Sequence, residues 1–345
     1  MKTIIICAIA ALFIISSFSY GEEPEFKVLG VKGTVMVESR NKGWKELKAG
    51  DGIYKNEKIK IDEASYLGLV HSSGRTIELK NKGTYTVAKL SREAASMKSS
   101  TAQKFAKFVA DEIGSGDDIL ASKNYHRNME TTGAVDRATG GNVNYANTLS
   151  GMTGTDLSKY SGLNETMDFL FRSNKEYIYA KLPRTSYVID SVLTFDWYKN
   201  PNVSVYEFKI IDINNNEVYT TKTSDTSVTI NLDNAGLKPG INYYWYVKSG
   251  DISSDQNCIN RMTERQKEQV REDTEPIKET MESGKDAAAL MILAAYYEDA
   301  NIMNRAVDSY REALDIEPGV KGYKTLYGRY LSRIGLVDEA AKLVK

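Results

Sequence analysis

Residues that staple or catalyse are scarce in this chain of 345 residues, which holds two cysteines, Cys7 and Cys258, and two histidines. Cys7 lies inside an N-terminal apolar run that reads as removable, so one thiol is left and no internal disulfide can hold the fold. The folded parts must therefore be stable through their cores. His71 falls in a strand-to-turn segment and His126 beyond a helix. Neither has a companion at metal-ligand spacing, and both read as packing or surface residues. No Gly-x-Ser-x-Gly elbow and no His-Glu-x-x-His helix occurs. The glycines from Gly133 to Gly141 lack the order of a phosphate-binding loop. Asp117-Asp118 and the acidic residues of 264–282 are not set in an Asp-x-Asp-x-Asp-Gly calcium loop. Cys258 has no neighbour that would lower its pKa. A carboxylate pair for glycoside hydrolysis stays open, because its spacing is set in space. Together these absences point away from an enzyme and away from any metal or cofactor.

Charge of one sign is missing too. The formal net charge is −1, and no run of Lys and Arg forms the concentrated basic face that nucleic acid requires. Long apolar runs are limited to one, Ile4–Phe18, preceded by Lys2 and followed by Ser19-Tyr20-Gly21. It is shorter than the about 20 residues of a comfortable membrane span. The pattern is that of a secretory signal peptide over residues 1–21, cut between Gly21 and Glu22. An uncleaved anchor is the alternative reading. Cleavage would leave no stable membrane span and an exported protein, in the periplasm or outer envelope of a bacterium.

What is present is tyrosine, 22 residues against 9 Phe and 3 Trp, which suits strand faces with one wet edge. From 22 to 90 short alternating strands are broken by turns at Asn41-Lys42-Gly43, Gly50-Asp51-Gly52 and Ser72-Ser73-Gly74, as in a small sandwich or barrel. The order Val28, Gly33-x-Val35-x-Val37, Trp44-x-x-Leu47, Gly50-Asp51, Asn56-Glu57-x-Ile59, Ser65-x-Leu67-x-Leu69, Gly74 and Ile77-x-Leu79 resembles the FecR domain. That resemblance spans roughly 65 residues and implies an all-β periplasmic module linked to signalling. The chain departs from the regulator architecture, with no cytoplasmic segment ahead of a membrane helix, so the iron-signalling role does not transfer.

The period then changes. Over 91–130, Phe105, Phe108, Val109 and Ile113 recur at helical spacing behind a capping box at Ser100-Thr-Ala-Gln103, predicting one amphipathic helix. Residues 131–174, dense in Gly, Asn, Thr and Ser, read as a linker. A second β domain is predicted over 175–257. Its Leu237-x-Pro239 followed by Tyr243, together with Trp197, resembles the fibronectin type III signature, in which a corner tyrosine locks the crossover between sheets. Residues 258–282 read as a charged helical linker, capped at Thr263-x-x-Gln266 and kinked or ended by Pro276.

Over 283–345, Leu290, Leu293, Ala294, Tyr297, Ala306, Tyr310, Ala313 and Pro318 resemble the tetratricopeptide pattern. At the family's period of about 34 residues, Tyr327, Gly328, Leu331 and Ala340 repeat it. Two units are fewer than the about three that a free-standing array needs, so they should lean on the preceding helix or on a partner. The expected fold class is thus multidomain and mixed: two all-β modules, then an α-helical tail. The resemblances imply a non-catalytic interaction, scaffold or sensing protein with other envelope proteins as partners, and cell-wall glycan as the alternative. Candidate partner-binding residues are Tyr244 and Tyr246 on the outward face of a strand, and Tyr297 and Tyr327 on the helices.

Overall fold

The computed structural model describes residues 23–39, 43–95, 99–116, 177–281 and 286–343. The expected signal segment 1–21, the 131–174 linker, Asp117-Asp118 and His126 lie outside them. The N-terminal and middle parts are β-sheets, antiparallel in all but one pairing, and the C-terminal part is helical.

The first β body contains β1 (Phe26–Lys32), β2 (Val35–Ser39), β3 (Gly43–Glu46), β4 (Gly52–Ile53), β5 (Lys58–Ile61), β6 (Tyr66–His71), β7 (Thr76–Leu79) and β8 (Gly83–Thr86). They form two sheets of order β4-β1-β6-β7 and β3-β2-β5-β8. Alternation drives the stacking: Phe26, Val28, Val35, Ile59, Ile61, Leu67 and Leu69 point inward and share one core. The strands do not run to Leu90. Val87–Ala94 is instead a helix, α1, which closes this core with Val87, Leu90 and Ala94.

One strand departs from the half-buried pattern. Every residue of β6 is buried, which requires cover on both faces of its sheet. The second cover is helical. It comprises α2 (Ser100–Gly114), α3 (Glu264–Lys278), α4 (Ala287–Asp299), α5 (Met303–Ile316), α6 (Lys321–Arg333) and α7 (Val337–Lys342). Leu29, Tyr66 and Val70 on the outer sheet face belong to the core of this helical body. In α4, Ala287 through Tyr297 are all buried, as expected of a helix apolar on every side. It packs on α2, α3, α5, β6 and β7. The predicted helix after residue 91 thus serves the tail, and its N-cap is Ser99, which accepts from the Ala102 N–H at 3.2 Å, rather than Ser100. Adjacent serines make the two registers alike in sequence. Helix α3 keeps the expected capping box at Thr263 and Gln266, and ends at Lys278, just after Pro276.

Two glycines let the layers meet. Gly30 and Gly68 are cross-strand partners, and a β-bulge between Val28 and Gly30 turns this stretch of β1 toward the helices. A Cβ on Gly68 would come within 2.5 Å of the Tyr323 hydroxyl, and one on Gly30 within 2.6 Å of Val320. The pair is a notch into which α6 lowers Tyr323, whose hydroxyl shares a 2.9 Å hydrogen bond with Tyr66.

Polar groups complete the seam. Tyr66 also donates to Glu78 Oε1 at 2.7 Å, and the same oxygen accepts the Ala288 N–H at 3.1 Å. Asp286 caps α4, accepting from Ala289 N at 2.7 Å and from Thr76 Oγ1 at 3.1 Å. Two carboxyls therefore share one helix N-terminus, whose dipole favours negative charge. Lys80 lies 2.8 Å from Glu78 and 3.4 Å from Glu317, and Lys32 lies 3.1 Å from Glu317. Burial, and then the neighbouring Glu78 charge, push the Asp286 carboxyl up to about 7.

The second β body contains β9 (Ala180–Leu182), β10 (Ser186–Val188), β11 (Val192–Trp197), β12 (Tyr206–Ile211), β13 (Glu217–Thr223), β14 (Ser227–Asn231), β15 (Asn242–Ser249), β16 (Ile252–Ser253) and β17 (Asn257–Arg261). Its sheets are β14-β11-β9 and β10-β17-β15-β12-β13, with β16 on β15. The inner aromatic set of Phe195, Trp197, Tyr206, Phe208 and Trp245 fills the space between them. Tyr243 accepts the Lys238 N–H at 3.0 Å, tying β15 to the chain just before it.

Two predictions follow from the seam. Gly68→Ala should lower stability by about 1–3 kcal/mol, the usual cost of overpacking a filled site, as read by chemical denaturation. Because the folded-state pKa of Asp286 is raised, its protonation stabilises the fold most at acid pH. That contribution is lost as pH rises from about 4, where an unfolded aspartate titrates, to about 7. Asp286→Asn, which keeps a capping side chain, should remove this part of the slope and raise the melting temperature above wild type at pH 8. Parallel pH profiles for the two proteins would refute the assignment.

Candidate binding cleft

The second β body docks against the helices at two places. At the α4–α5 turn, Tyr187 N–H donates to the Asn301 carbonyl at 2.9 Å, and Ser186 Oγ accepts the Met303 N–H at 3.0 Å. Arg305 pairs with Asp190 beside them. At the other end Lys181 of β9 reaches Glu339 of α7 at 3.1 Å. Between these contacts the two surfaces separate, leaving a half-open cleft of about 320 Å³. This is within the about 300–1,000 Å³ of ordinary ligand pockets.

The floor is apolar, made by Leu182, Leu314, Leu331, Leu336 and Leu343. These leucines come from β9, α5, α6, the α6–α7 turn and the residue after α7. Tyr327 of α6 forms one wall, stacked on Tyr310 with ring centroids 5.2 Å apart. Burial raises its phenol, and the Arg311 guanidinium, hydrogen-bonded to it, offsets part of that shift.

Charges ring the mouth. Glu339 bridges Lys181 at 3.1 Å and Lys342 at 3.0 Å, while the Lys181 ammonium also lies 4.9 Å from the Tyr198 ring centre. Asp196 of β11 is half-buried, and burial raises its carboxyl, with Lys181 and Arg311 close enough to oppose the rise. No ion pair within 4.0 Å joins Asp196 to another described residue. Asp308, one turn before Arg311 on α5 and outside the cleft lining, is likewise raised by burial, with Arg311 the largest opposing influence.

The four tyrosines expected to meet partners occupy separate places. Tyr327 lines the cleft, but at 4 % exposure its ring is core with one accessible edge. Tyr297, at 7 %, is also core: its ring is edge-on to Tyr296 at 5.6 Å and its hydroxyl bonds Thr274 of α3. Tyr244 and Tyr246 are half-buried and share the outward face of β15, opposite Cys258 and Lys209 respectively. Cys258 is half-buried and its thiol is pushed up by burial.

His71 is a tie rather than a ligand. It is buried at the end of β6, with Nδ1 2.9 Å from Ser73 Oγ and Nε2 3.2 Å from Ser91 Oγ. Burial lowers its pKa, against the pull of Glu25. Among the described residues no group of three or more His, Cys, Asp and Glu is placed to hold a metal ion.

No protein-family model matches the chain, and no curated protein matches it. The cleft is therefore read from its own chemistry. Sequence reasoning singled out Tyr327 but missed Lys181, Asp196, Arg311 and Glu339. Each is an ordinary charged residue on a strand or helix, and only the docking of two distant parts brings them together.

The difference between wall and surface is measurable. Tyr327→Ala should cost about 3–5 kcal/mol, as truncating a buried aromatic does. Tyr246→Ala should cost less than about 1 kcal/mol, in the range of surface changes. Equal costs in denaturation would mean that the burial of Tyr327 has been misassigned.

Proposed function

We propose that the chain is an exported, non-catalytic bacterial envelope protein that acts through protein contacts, as a scaffold or sensing module. In this reading the first β body is FecR-like, the second is fibronectin type III-like, and α4 to α7 are tetratricopeptide-like hairpins. The observation that carries it is the cleft: the second β body is held on the helical body, and their junction leaves an accessible apolar floor with a charged rim. Such a surface suits a segment of another protein.

Details of each part agree with this reading. Ala294 and Ala306, both fully buried, lie where α4 and α5 pack closely. The Tyr243 hydrogen bond and the Trp197 core position fit the fibronectin-type corner and core. Export is supported by the N-terminal apolar segment behind Lys2. Among the described residues no helix is long and apolar enough to cross a membrane.

A glycan-binding reading has one observation in its favour. Tyr244 and Tyr246 stand on the same face of β15, roughly 7 Å apart at the rise of a strand, and aromatic rings so spaced can stack on sugars. Capture of tagged mature protein from native envelope extract separates the readings. Leu314→Lys with Leu343→Lys should remove specific protein partners, whereas Tyr244→Ala with Tyr246→Ala should leave them bound. If the tyrosine pair instead abolishes co-sedimentation with insoluble cell wall, and the cleft pair changes nothing, the glycan reading replaces the first. Turnover of an envelope substrate at enzyme-like rates would end both.

A further inference from the structure

The chemistry of the cleft identifies its occupant more closely, if the cleft is the binding site proposed above. Its cations are mostly engaged. Lys181 and Lys342 share Glu339, at 3.1 and 3.0 Å. Arg311 bonds the Tyr327 phenol. Its remaining anions outnumber that one arginine: Asp196 from β11 and Asp315 from α5, one turn after Arg311. Asp196 is the inner one. It is half-buried, it lines the cleft, and it lacks an ion-pair partner within 4.0 Å among the described residues.

A carboxylate in that position has lost part of its hydration without gaining a bonded counter-charge, which is a standing cost. The raised pKa of Asp196 records that cost, with burial as its main cause. A cation placed beside Asp196 would remove it. The leucine floor next to it asks for an apolar group on the same ligand.

We infer that the cleft takes a basic side chain of a partner protein, a lysine or arginine with an apolar neighbour. The basic head pairs with Asp196, and the neighbouring side chain lies on Leu182, Leu314 and Leu331. An anionic segment is disfavoured, because Asp196 and Asp315 line the cleft while Glu339 already pairs with both lysines. Metal ions are disfavoured as well, since the carboxylates stand on separate elements and Arg311 lies among them.

The test uses the full mature chain labelled at leucine methyl groups and two probes, acetyl-Leu-Arg-Leu-amide and acetyl-Leu-Glu-Leu-amide. The arginine peptide should shift the methyl signals of Leu182, Leu314, Leu331 and Leu343. The glutamate peptide should bind about fivefold to tenfold more weakly, the difference one half-buried charge pair makes. Asp196→Asn should weaken the arginine peptide by a similar factor without lowering the melting temperature, and added salt should weaken it further. If the glutamate peptide binds as well, or Asp196→Asn changes nothing, the cationic preference is wrong while the cleft survives as a binding site. If neither peptide moves these methyl signals, the cleft itself is not a site for peptide segments, and the reading it rests on falls too.

Discussion

Burial of α4 on all sides is the constraint on which the remaining structure depends. A helix with no polar face cannot lie on a surface, so the chain must supply a wall in every direction. It draws them from far apart in sequence: β6 and β7 of the first β body, α2 from the middle, and α3 and α5 on either side. The second β body is held to the turn that ends α4 and to α7. What reads along the chain as modules joined by linkers becomes, through this one helix, a shared interior.

Charges inside that interior set its register. Glu112 of α2 and Arg329 of α6 are each about 1 % exposed, and Arg329 also donates to the Gly116 carbonyl at 2.6 Å. Arg333 lies 2.6 Å from Glu298 of α4, whose carboxylate also accepts from Tyr310 at 3.2 Å. Buried pairs of this kind return little net stability, because removing the ions from water costs about as much as their attraction yields. Their effect is to make a misaligned arrangement expensive, since sliding α6 by one turn would strand a guanidinium without its carboxylate. The Gly30–Gly68 notch acts in the same direction, because one ring, Tyr323, fits one gap in the sheet.

Local features were legible in the sequence. The strands at Val35–Val37 and Leu193–Trp197, the capped start of α3 and the Tyr243 hydrogen bond all depend on neighbours within a few residues, and each stands where its pattern places it. The apolar positions from Leu290 to Ala313 were legible as helix faces meeting one another. What they met beyond that was not. Tyr66 and Val70 look in sequence like the wet side of a strand, and Gly30 and Gly68 like turn or bulge glycines. Their roles come from α6, more than 250 residues away. The cleft was hidden for the same reason, since Lys181 and Glu339 are unremarkable until β9 and α7 are brought side by side. The burial of Tyr297 comes from the packing of α4 on α3 and α5, which the local pattern does not show.

The distance between Tyr66 and Tyr323, 257 positions along the chain, also governs the order of events when the protein forms. The first β body is synthesised early, yet the Gly30–Gly68 notch on the outer face of its sheet stays uncovered until residues 320–323 emerge. A chain that depends on such remote contacts folds slowly compared with one built from local ones. During that interval the uncovered sheet face is prone to association with other chains. The nascent protein thus needs protection at this face until α6 closes over the notch.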